Sequence, residues 1–456
     1  MKSDIIVIGG GASGLMAAYW AARTAVDSGS DKQVTVLEKM PKPARKVMIT
    51  GKGRCNFTNV KDWNEFSGHI RSKATAVKSA FYNFTPQQVV DFFESYGMET
   101  VVERGDRAFP ASYHASDVID TMVNACLGAG VKIELEFEVE SVSKDGKGTY
   151  AITSTDGRKY LCSKLIIATG GLSYPGTGST GDGYAWAESM GHRVTQLFPS
   201  LTALVPRGYK DSESIVSAFK FHIDRSSPLS EVGGKLCGVQ LKNVGVRLLV
   251  EGTEAENEFG DIDFTDGGIE GPIGFQISRK AVKSLINGSR VEISLDMKPG
   301  VDLTDLTTRV KELWAEIDKD PRSRRLREKE RCRILLGKLM PWDLIPGFTA
   351  AHPEIITLER RSRTETKVWV NLVSIAKALK DWRFDIAGFV GYERAVVTAG
   401  GVSTDEFVAK TMESRLQPGL FLCGELLDID SDTGGYNLQT AFATGALAGR
   451  SAAKSL

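Results

Sequence analysis

The first forty residues alternate between short apolar runs and one longer segment of mixed character. The run IIVIGG (residues 5–10) predicts a buried strand that ends in a glycine turn. Residues 11–26 have the spacing of apolar side chains that is typical of a helix, and VTVLEK (residues 34–39) predicts a second strand. This order predicts a βαβ unit, in which a helix joins two parallel strands.

The pattern changes twice along the rest of the chain. Helical spacing covers residues 76–97 and 115–130, and short strands follow. After about residue 194, apolar and polar positions alternate as in antiparallel strands, whereas residues 303–317 are again helical. A strand at LFLCGE and a helix rich in small residues complete the pattern. We therefore predict an α/β fold, a Rossmann-type domain with an inserted, mostly β, barrel-like domain and a small helical segment.

Composition and charge exclude several classes of protein. Hydrophobic residues make up 42% of the 456 residues and charged residues 25%, which is typical of a globular protein. Lys plus Arg and Asp plus Glu both number 57, so no net charge attracts nucleic acid or an anionic membrane, and we expect neither partner. The first apolar run is too short for a signal peptide or membrane span. The six cysteines form no CxxC pair, and the five histidines form no HExxH motif. We expect a cytoplasmic protein with reduced thiols and no metal site.

The glycine turn after the first strand carries a GxGxxG pattern at Gly9, Gly11 and Gly14. Its place between a strand and a helix is the one that a dinucleotide site requires, because the helix N-terminus offers amide donors to the pyrophosphate. Ser13 adds a hydroxyl donor. Glu38, at the end of the second strand, is placed to accept both ribose hydroxyls of the adenosine and to repel a 2′-phosphate. The motif predicts FAD or NAD without distinguishing them.

Three further segments favour FAD. RKVMITGKGRCNFTN (residues 45–59) combines cations with a glycine-rich turn, suited to cover phosphate and flavin. LIIATGG (residues 165–171) predicts a buried strand that ends beside the cofactor. LFLCGELLDIDSDTGGYNLQ (residues 420–439) predicts a strand with an acid, followed by glycines that begin a helix.

The same segments resemble the BaiN or YhiN-like flavoprotein family, which includes aminoacetone oxidase-type enzymes and is distantly similar to fumarate reductase flavoproteins. The resemblance covers essentially the whole chain. It is carried by IGGGASGLMAA, GKGRCNFTN, FPASYHASDVID, ATGGLSYPGTGSTGDGYAWAESMGH and CGELLDIDSDTGGYNLQTAFATG. It implies an FAD-dependent oxidoreductase that moves a hydride through flavin N5 to or from a small carbonyl, enone or amine substrate.

The resemblance also implies roles for individual residues. Glu425 would bind the ribityl or pyrophosphate region, and amides at the start of the last helix would stabilise negative charge on the reduced flavin. Arg54, Cys55 and Asn56 would lie beside the flavin, whereas Lys52 would point outward. Together with the motifs, the predicted FAD contacts are Gly9, Gly11, Ala12, Ser13, Gly14, Glu38, Lys39, Arg45, Lys46, Gly53, Arg54, Cys55, Asn56, Val139, Thr169, Gly170, Gly171, Gly424, Glu425, Gly434, Gly435, Asn437 and Leu438.

Four domain segments follow from these patterns. We predict that residues 1–193 form the first part of an FAD-binding domain, residues 194–302 an inserted β-rich domain, residues 303–355 a helical segment of the insertion, and residues 356–456 the C-terminal part of the FAD-binding domain.

A second GxGxxG pattern, at Gly176, Gly178 and Gly181, lacks the context of a nucleotide site because Pro175 intervenes and no βαβ unit follows. We interpret it as a loop beside the flavin that leads into a helix. NAD(P)H, if it is the electron donor, must then use the open face of the flavin.

The catalytic acid or base stays open, with Arg54, His114, Tyr174 and Glu270 as candidates. His114 can equally cap a helix. Glu270 lies in a glycine-rich turn (residues 264–272) in which family members often have Ser at this position and His at Asp266, so the substrate chemistry of the turn is open. For Cys55 a structural thiol is favoured over a redox-active one, because no partner cysteine is present.

Two alternative functions remain. An NAD-linked dehydrogenase would use the first glycine loop and would be colourless when purified. A flavin-binding RNA-interaction or scaffold protein would use the Arg-rich segment 322–333, although Glu328 and Glu330 within it favour a solvated helix face. Neither the direction of the redox reaction nor the oligomeric state follows from the sequence.

Overall fold

The computed structural model describes residues 1–211, 221–360 and 366–455. The strands, in chain order, are β1 (Ile5–Ile8), β2 (Val34–Leu37), β3 (Thr58–Asn59), β4 (Thr100–Glu103), β5 (Arg107–Pro110), β6 (Lys132–Glu134), β7 (Val139–Lys144), β8 (Tyr150–Ser154), β9 (Lys159–Cys162), β10 (Lys164–Ile167), β11 (Phe198–Ser200), β12 (Leu204–Pro206), β13 (Gln240–Val250), β14 (Thr253–Thr265), β15 (Gly268–Glu270), β16 (Val291–Asp296), β17 (Ile356–Arg360), β18 (Thr366–Val370), β19 (Trp382–Phe389), β20 (Val397–Ala399) and β21 (Leu420–Leu422). The α-helices are α1 (Ala12–Asp27), α2 (Arg45–Met48), α3 (Trp63–Ser67), α4 (Lys78–Asn83), α5 (Pro86–Ser95), α6 (Ala115–Gly128), α7 (Asp182–Ser189), α8 (Glu231–Leu236), α9 (Pro272–Ile286), α10 (Leu303–Lys319), α11 (Glu328–Leu339), α12 (Ile345–Ala351), α13 (Leu372–Lys380) and α14 (Gly434–Lys454).

The chain forms two compact units, Met1–Ser200 with Tyr392–Leu456 and Leu201–Gly391. The first unit is built on a parallel sheet with the strand order β21-β10-β1-β2-β6. Every residue of β1 and β2 is buried, as expected of a parallel sheet that is covered on both faces. The α/β class with its Rossmann-type domain is confirmed.

The small residues of helix α14 pack against its neighbour α1. Gly445 lies against the backbone of Ser13, and Gly449 lies against the backbone of Ala17, so a Cβ at either glycine would overlap α1. The small residues of α14 therefore allow the two helices to approach closely, and this contact holds α14 beside β1 and its glycine turn.

The second unit contains a closed antiparallel barrel in the order β12-β15-β14-β13-β16-β19. Its long strand β13 alternates in burial, with Leu241, Val244, Val246 and Leu248 inside. Helices α9 to α13 belong to the same unit. The predicted barrel-like insertion with a helical segment is confirmed.

The structure divides the chain at other points than the sequence pattern does. Strand β11 pairs with β20, which keeps residues 198–200 in the first unit. Strand β19 pairs with β16 and β12 in the barrel, which keeps the chain in the second unit up to Gly391, not to residue 355. Pairing between strands that are distant in the sequence sets both boundaries, and no local pattern reports it.

The predicted helix over residues 76–97 is two helices, α4 and α5. Thr85 caps α5, because its hydroxyl accepts from the Gln88 N–H and the Gln88 side chain accepts from the Thr85 N–H. Pro86 follows at the first helical position, where its missing N–H costs nothing, although it prevents α4 from continuing. Among the described residues, no helix has both the length and the apolar character needed to cross a bilayer.

Candidate functional site

A cavity opens at the carboxyl ends of β1, β2 and β10. This edge of a parallel α/β sheet is where such folds bind ligands. All of its lining residues belong to the first unit. The predicted contact residues that line it are Gly9, Gly11, Ala12, Ser13, Glu38, Lys39, Arg45, Lys46, Val139, Thr169, Gly170, Gly424, Glu425, Gly434, Asn437 and Leu438.

The three glycines of the first GxGxxG pattern are required for different reasons. Gly9 has a φ of +102°, and a Cβ there would lie 2.5 Å from the carbonyl oxygen of Ala168. A Cβ at Gly14 would overlap the carbonyl oxygen of Gly9. A Cβ at Gly11, whose φ is −81°, would meet no atom of the described residues within 4 Å. Packing requires glycine at positions 9 and 14, whereas position 11 keeps space open in the cavity.

Two buried hydroxyl groups in the lining are left without partners. The Oγ1 atoms of Thr169 and Thr440 form no hydrogen bond to any described residue. Buried polar groups are nearly always hydrogen-bonded, since leaving one unpaired costs about 1–3 kcal/mol. These hydroxyls therefore fit a ligand with polar atoms along its length, as a dinucleotide has.

Glu38 fixes the glycine loop as well as lining the cavity. Its Oε2 accepts the N–H of Gly10 at 2.7 Å, and its Oε1 accepts the N–H of Met40 at 2.8 Å. Burial raises the pKa of Glu38 above its usual 4.5, against the two backbone N–H groups, which lower it. Each oxygen retains a lone pair. The carboxylate thus has the capacity for the predicted ribose hydroxyls, and it has a structural role that the sequence did not indicate.

Glu425 joins three other segments beside the cavity. Its Oε2 lies 2.7 Å from Lys46 Nζ, and its Oε1 accepts from Ser173 Oγ at 2.7 Å and from the Thr398 N–H at 2.8 Å. Although burial alone would raise the pKa of Glu425, the Lys46 ammonium and the hydrogen bonds hold it below its usual 4.5. The carboxylate is therefore ionised at neutral pH and attaches α2 to the segments after β10 and before β21.

The segment after α2 lies mostly outside the cavity lining. Gly53, Arg54, Cys55 and Asn56 do not line the cavity, and Lys52 is exposed. Cys55 is fully buried, and burial raises the pKa of its thiol to about 12, so it is not a thiolate at neutral pH. Its predicted structural character is consistent with this environment.

Arg54 lies against an aromatic surface. Its guanidinium carbon is 5.1 Å from the ring centroid of Phe109 and 5.7 Å from that of Tyr113, and its Nη1 is 3.9 Å from a carboxylate oxygen of Glu103. The Arg54 guanidinium is therefore held by residues outside the cavity lining.

The start of α14 is attached to the same segment. Gly434 lines the cavity, whereas Gly435 faces the chain at residues 56–59. A Cβ at Gly435 would lie 2.5 Å from the side-chain amides of both Asn56 and Asn59. A Cβ at Gly434 would meet no atom of the described residues within 4 Å. Packing against the protein therefore requires glycine at position 435, as it does at position 14. Position 434 keeps space open in the cavity, as position 11 does.

Asn437 fixes the loop before α14. Its Nδ2 donates to the carbonyl oxygens of Ser431 and Thr433, both at 2.9 Å, and its Oδ1 accepts the N–H of Ser431 at 3.1 Å. Asn437 thus lines the cavity, and its side chain also fixes the conformation of the preceding turn.

The second glycine pattern lies in the lining of the same cavity. Thr177, Gly178, Ser179 and Asp182 contribute to the lining, and Lys39 Nζ lies 2.7 Å from a carboxylate oxygen of Asp182. The segment follows the turn after β10 and leads into α7, with no strand directly before it. Its position favours the interpretation as a loop beside the cofactor.

The catalytic candidates lie outside the lining. His114 is exposed directly before α6, and its N–H donates to Ser112 Oγ at 3.1 Å. Tyr174 has a φ of +52° in the turn before α7. Glu270 is buried at the end of β15 in the second unit. Together with Arg54, none of the four lines the cavity.

The chain matches the model of the family described as "HI0933-like protein Rossmann domain" over residues 3–451. The chain belongs to this family. It is a family of FAD-binding Rossmann proteins and FAD-dependent oxidoreductases, so the resemblance that the sequence motifs carry is confirmed.

Two relatives match this chain over nearly its whole length. It is 32% identical over 453 residues to a 3-dehydro-bile acid Δ(4,6)-reductase of Clostridium scindens, covering 98% of both chains. It is 29% identical over 445 residues to a ribosomal RNA dihydrouridine synthase of Escherichia coli, covering 97% of this chain and 96% of the relative. Among solved structures, a 3-ketosteroid Δ1-dehydrogenase of Sterolibacterium denitrificans matches with a TM-score of 0.48 and 12% identity over 100% of both chains.

Sequence motifs of the family did not reveal all of the lining. The further lining residues are Ile8, Leu37, Ala44, Val47, Thr50, Phe137, Ala168, Thr177, Gly178, Ser179, Asp182, Trp186, Val396, Val397, Ile429, Thr440 and Ala441. Most are apolar and carry no chemical signal. Thr440 could have been found from its spacing, because it follows Asn437 by three positions on α14, and residues at that spacing share one face of a helix.

Proposed function

We propose that this chain is a reductase that uses FAD to saturate a carbon–carbon double bond conjugated with a carbonyl group, as in an enone. The cavity carries the FAD part of the proposal, since its lining combines open space at Gly11 and Gly434 with the unpaired hydroxyls of Thr169 and Thr440. The substrate class is supported by the two relatives. One relative is named as a Δ(4,6)-reductase of a 3-dehydro-bile acid, and the other is named for dihydrouridine, the product of reducing such a bond in uridine.

In this proposal, different lining residues bind different parts of the cofactor. The loop at Gly11 and the N-terminus of α1 hold the pyrophosphate, and Glu38 accepts the adenosine ribose hydroxyls through its remaining lone pairs. The start of α14 holds the flavin end. When bound, FAD supplies a hydride from N5 of its reduced ring to one carbon of the double bond.

The protein supplies orientation and electrostatics. The unpaired N–H groups and positive dipole end of α14 stabilise negative charge at the flavin end of the cavity. Apolar lining residues, among them Ile8, Phe137 and Val397, exclude water from it. The electron donor we propose is NADH or NADPH, which reaches the same open face as the substrate, so that the two half-reactions alternate.

A spectroscopic experiment tests the proposal. The purified protein is expected to show the two visible bands of oxidised flavin. Under anaerobic conditions NADH or NADPH should bleach them, and 2-cyclohexen-1-one or a 4-en-3-one steroid should restore them faster than a saturated ketone does. A colourless protein that retains no added FAD would refute the proposal and favour the NAD-linked alternative. If oxygen but no enone reoxidises the reduced flavin, the protein would be an oxidase and not an enone reductase.

A second candidate function is reduction of uridine in RNA. It is favoured by the full-length relatives that are named ribosomal RNA dihydrouridine synthases. In the second unit, Arg324, Arg325, Lys329 and Arg333 are exposed around the start of α11, and they form a local cationic patch on a chain that has no net charge. The uracil C5=C6 bond is itself conjugated with a carbonyl, so the chemistry at the flavin would be the same.

Incubation with unmodified ribosomal RNA distinguishes the two substrates. Dihydrouridine formation, measured by mass spectrometry of nuclease digests, together with binding that weakens steeply with salt, would support the RNA substrate. Arg324→Glu with Arg325→Glu should then abolish RNA reduction while leaving enone reduction intact. Reduction of a small enone without RNA modification would support the small-molecule substrate.

A further inference from the structure

A carboxylate–imidazole pair lies directly before α14. Asp432 Oδ2 is 2.9 Å from His69 Nδ1, and Asp432 Oδ1 accepts from Arg71 Nε. The side chain of Asp432 is only 3% exposed. A buried carboxylate at Nδ1 fixes the proton of the imidazole there and turns Nε2 away from the carboxylate. No local sequence pattern indicates this pair, because 363 residues separate its members.

Further contacts hold the plane of the His69 ring. The ring stacks on Tyr436 with centroids 4.2 Å apart and an angle of 18° between the planes. The N–H of Asp432 donates to the His69 carbonyl oxygen at 3.0 Å, and Ile70 pairs with Ser431 in an antiparallel bridge. His69 Nε2 forms no hydrogen bond to any described residue, and the side chain is 35% exposed. The result is an oriented imidazole with one ring nitrogen available.

The pair is attached to the flavin end of the cavity. Asp432 lies two residues before Gly434, and Tyr436 directly precedes Asn437, both of which line the cavity. Asn437 hydrogen-bonds to the residues on either side of Asp432. Of the four catalytic candidates that the sequence offered, Tyr174 also has a connection to the lining, since its carbonyl oxygen accepts from Thr177 Oγ1 at 2.8 Å.

Conjugate reduction needs a proton as well as a hydride. The hydride adds to the β carbon, the electrons of the double bond move to the α carbon and carbonyl oxygen, and the resulting enolate must gain a proton at the α carbon. Resting on the proposed function, we infer that His69 is the general acid that supplies this proton from Nε2 and that Asp432 is its positioning residue. The donating form is the imidazolium, which carries a proton on each ring nitrogen; its Nε2–H bond breaks as the C–H bond forms, and a neutral imidazole remains with its Nδ1–H toward Asp432. A proton from solvent then restores the imidazolium at Nε2.

Nitrogen NMR of the oxidised holoprotein tests the placement without turnover. With ¹⁵N-labelled histidine, the five histidines give separable ring signals, and His69→Gln identifies the one from His69. We expect the neutral ring to carry its proton on Nδ1, and Asp432→Asn to move it toward Nε2. Saturating 2-cyclohexen-1-one should shift the His69 signal. A His69 signal that does not respond to bound enone would overturn the inference.

Single-turnover kinetics test the role. Holoprotein reduced with dithionite is mixed with the enone, and flavin reoxidation is followed. We expect His69→Gln to slow this step about 10²- to 10³-fold, the usual contribution of a general acid, while flavin content and melting temperature stay as in wild type. Reoxidation by oxygen should be unchanged, since it needs no proton at carbon. Addition of imidazole to His69→Gly should restore part of the rate.

A double variant separates catalysis from support. Because Asp432 acts through His69, Asp432→Asn combined with His69→Gln should react no more slowly than His69→Gln alone. The control is Asp405→Asn, which removes an exposed carboxylate paired with Lys73 and should react at the wild-type rate. If wild type reacts and His69→Gln stays within about threefold of it, well below the range of a general acid, the inference is wrong. If wild type binds no flavin, the proposed function fails instead.

Discussion

Single glycines of the two loops differ in what makes them necessary. At Gly14 and Gly435 the protein itself occupies the position of a Cβ, whereas at Gly11 and Gly434 the position is open. Substitution at the first pair therefore tests the fold, and substitution at the second pair tests for the ligand. This contrast separates loss of cofactor from loss of structure.

The first prediction concerns Gly11→Ala. The added methyl group enters the space assigned to the pyrophosphate, so we expect FAD affinity to fall at least about tenfold, or about 1.4 kcal/mol. The melting temperature of the apoprotein should stay unchanged, because the methyl group contacts no described residue. Equilibrium dialysis and thermal melts measure the two effects. Gly14→Ala is the matched contrast and should unfold the loop, while an unchanged FAD affinity for Gly11→Ala would place the pyrophosphate elsewhere.

The second prediction concerns Glu38→Gln. The amide replaces one acceptor oxygen by a donor that faces the N–H of Gly10 or Met40. We expect the free energy of unfolding of the apoprotein to fall by about 1–3 kcal/mol, the cost of an unsatisfied buried donor. FAD retention should fall as well. Urea unfolding of the apoprotein and flavin content after dialysis provide the measurements. A variant with wild-type stability that loses only FAD would leave ribose binding as the sole role of Glu38.

At the scale of elements, the cavity depends on contacts that tie helices to distant strands. Lys46 on α2 reaches Glu425 after β21, and the segment around Asn56 packs on the start of α14. Each contact joins elements that carry different parts of the predicted cofactor site. Breaking one should therefore lower cofactor retention by displacing an element of the site, in addition to any direct contact that the substituted residue makes with the cofactor.

The third prediction is an acid-sensitive step from Glu425. Because its pKa in the folded protein lies below its usual 4.5, the carboxylate stabilises the fold fully above about pH 4.5. That contribution is lost as the pH falls from there through the lowered pKa. We expect the free energy of unfolding of the apoprotein to fall in this window, and Glu425→Gln to lack this part of the fall. Chemical denaturation at several pH values measures it, and equal pH profiles for both proteins would contradict it.

The fourth prediction concerns Gly435→Val. The side chain would collide with the amides of Asn56 and Asn59 and push their segment away from α14, so flavin should be lost together with thermal stability. Gly434→Ala collides with no described residue, so it should lower FAD affinity while the apoprotein melts as wild type. Flavin fluorescence after gel filtration and apoprotein melts give the comparison. If Gly435→Val retains flavin, the start of α14 is not at the flavin end.

The elements that the sequence predicted well are those with a local signal. The β1, α1 and β2 pattern and Glu38 lie within forty residues and are recognisable by spacing alone. The barrel membership of β19, the pairing of β11 with β20, and the contact of His69 with Asp432 join residues far apart in the chain. Hydrophobic periodicity carries no information about such partners. The lining residues Val396 and Val397 were missed for the same reason.

At the scale of the whole molecule, the cavity belongs to one unit that two separate stretches of chain complete. Residues before Ser200 supply the glycine loop and Glu38, and residues after Tyr392 supply Glu425 and α14. None of the described residues of the barrel unit contributes to the lining. Cofactor binding should consequently stabilise the first unit directly.

The fifth prediction concerns hydrogen exchange on addition of FAD. Protection should rise in peptides from residues 1–200 and 392–456, most strongly at the glycine loop and the start of α14. At free FAD about 100-fold above its dissociation constant, the gain is about 2.7 kcal/mol. Deuterium uptake measured by mass spectrometry, with and without FAD, makes the comparison. Peptides of residues 201–391 serve as the internal reference, and protection largest within them would place the FAD site in the barrel unit.

The division of the cavity between two stretches of chain has a consequence for biosynthesis. The ribosome makes Gly9 and Glu38 early, but Glu425, Gly434 and Asn437 leave it only after the entire barrel unit has been made. A growing chain therefore has no complete form of the proposed cofactor site, and we expect FAD to be captured only once synthesis has passed these residues. If the proposed site holds FAD, premature termination within the barrel would release a chain without flavin, and yellow colour in the cell would mark molecules whose synthesis reached α14.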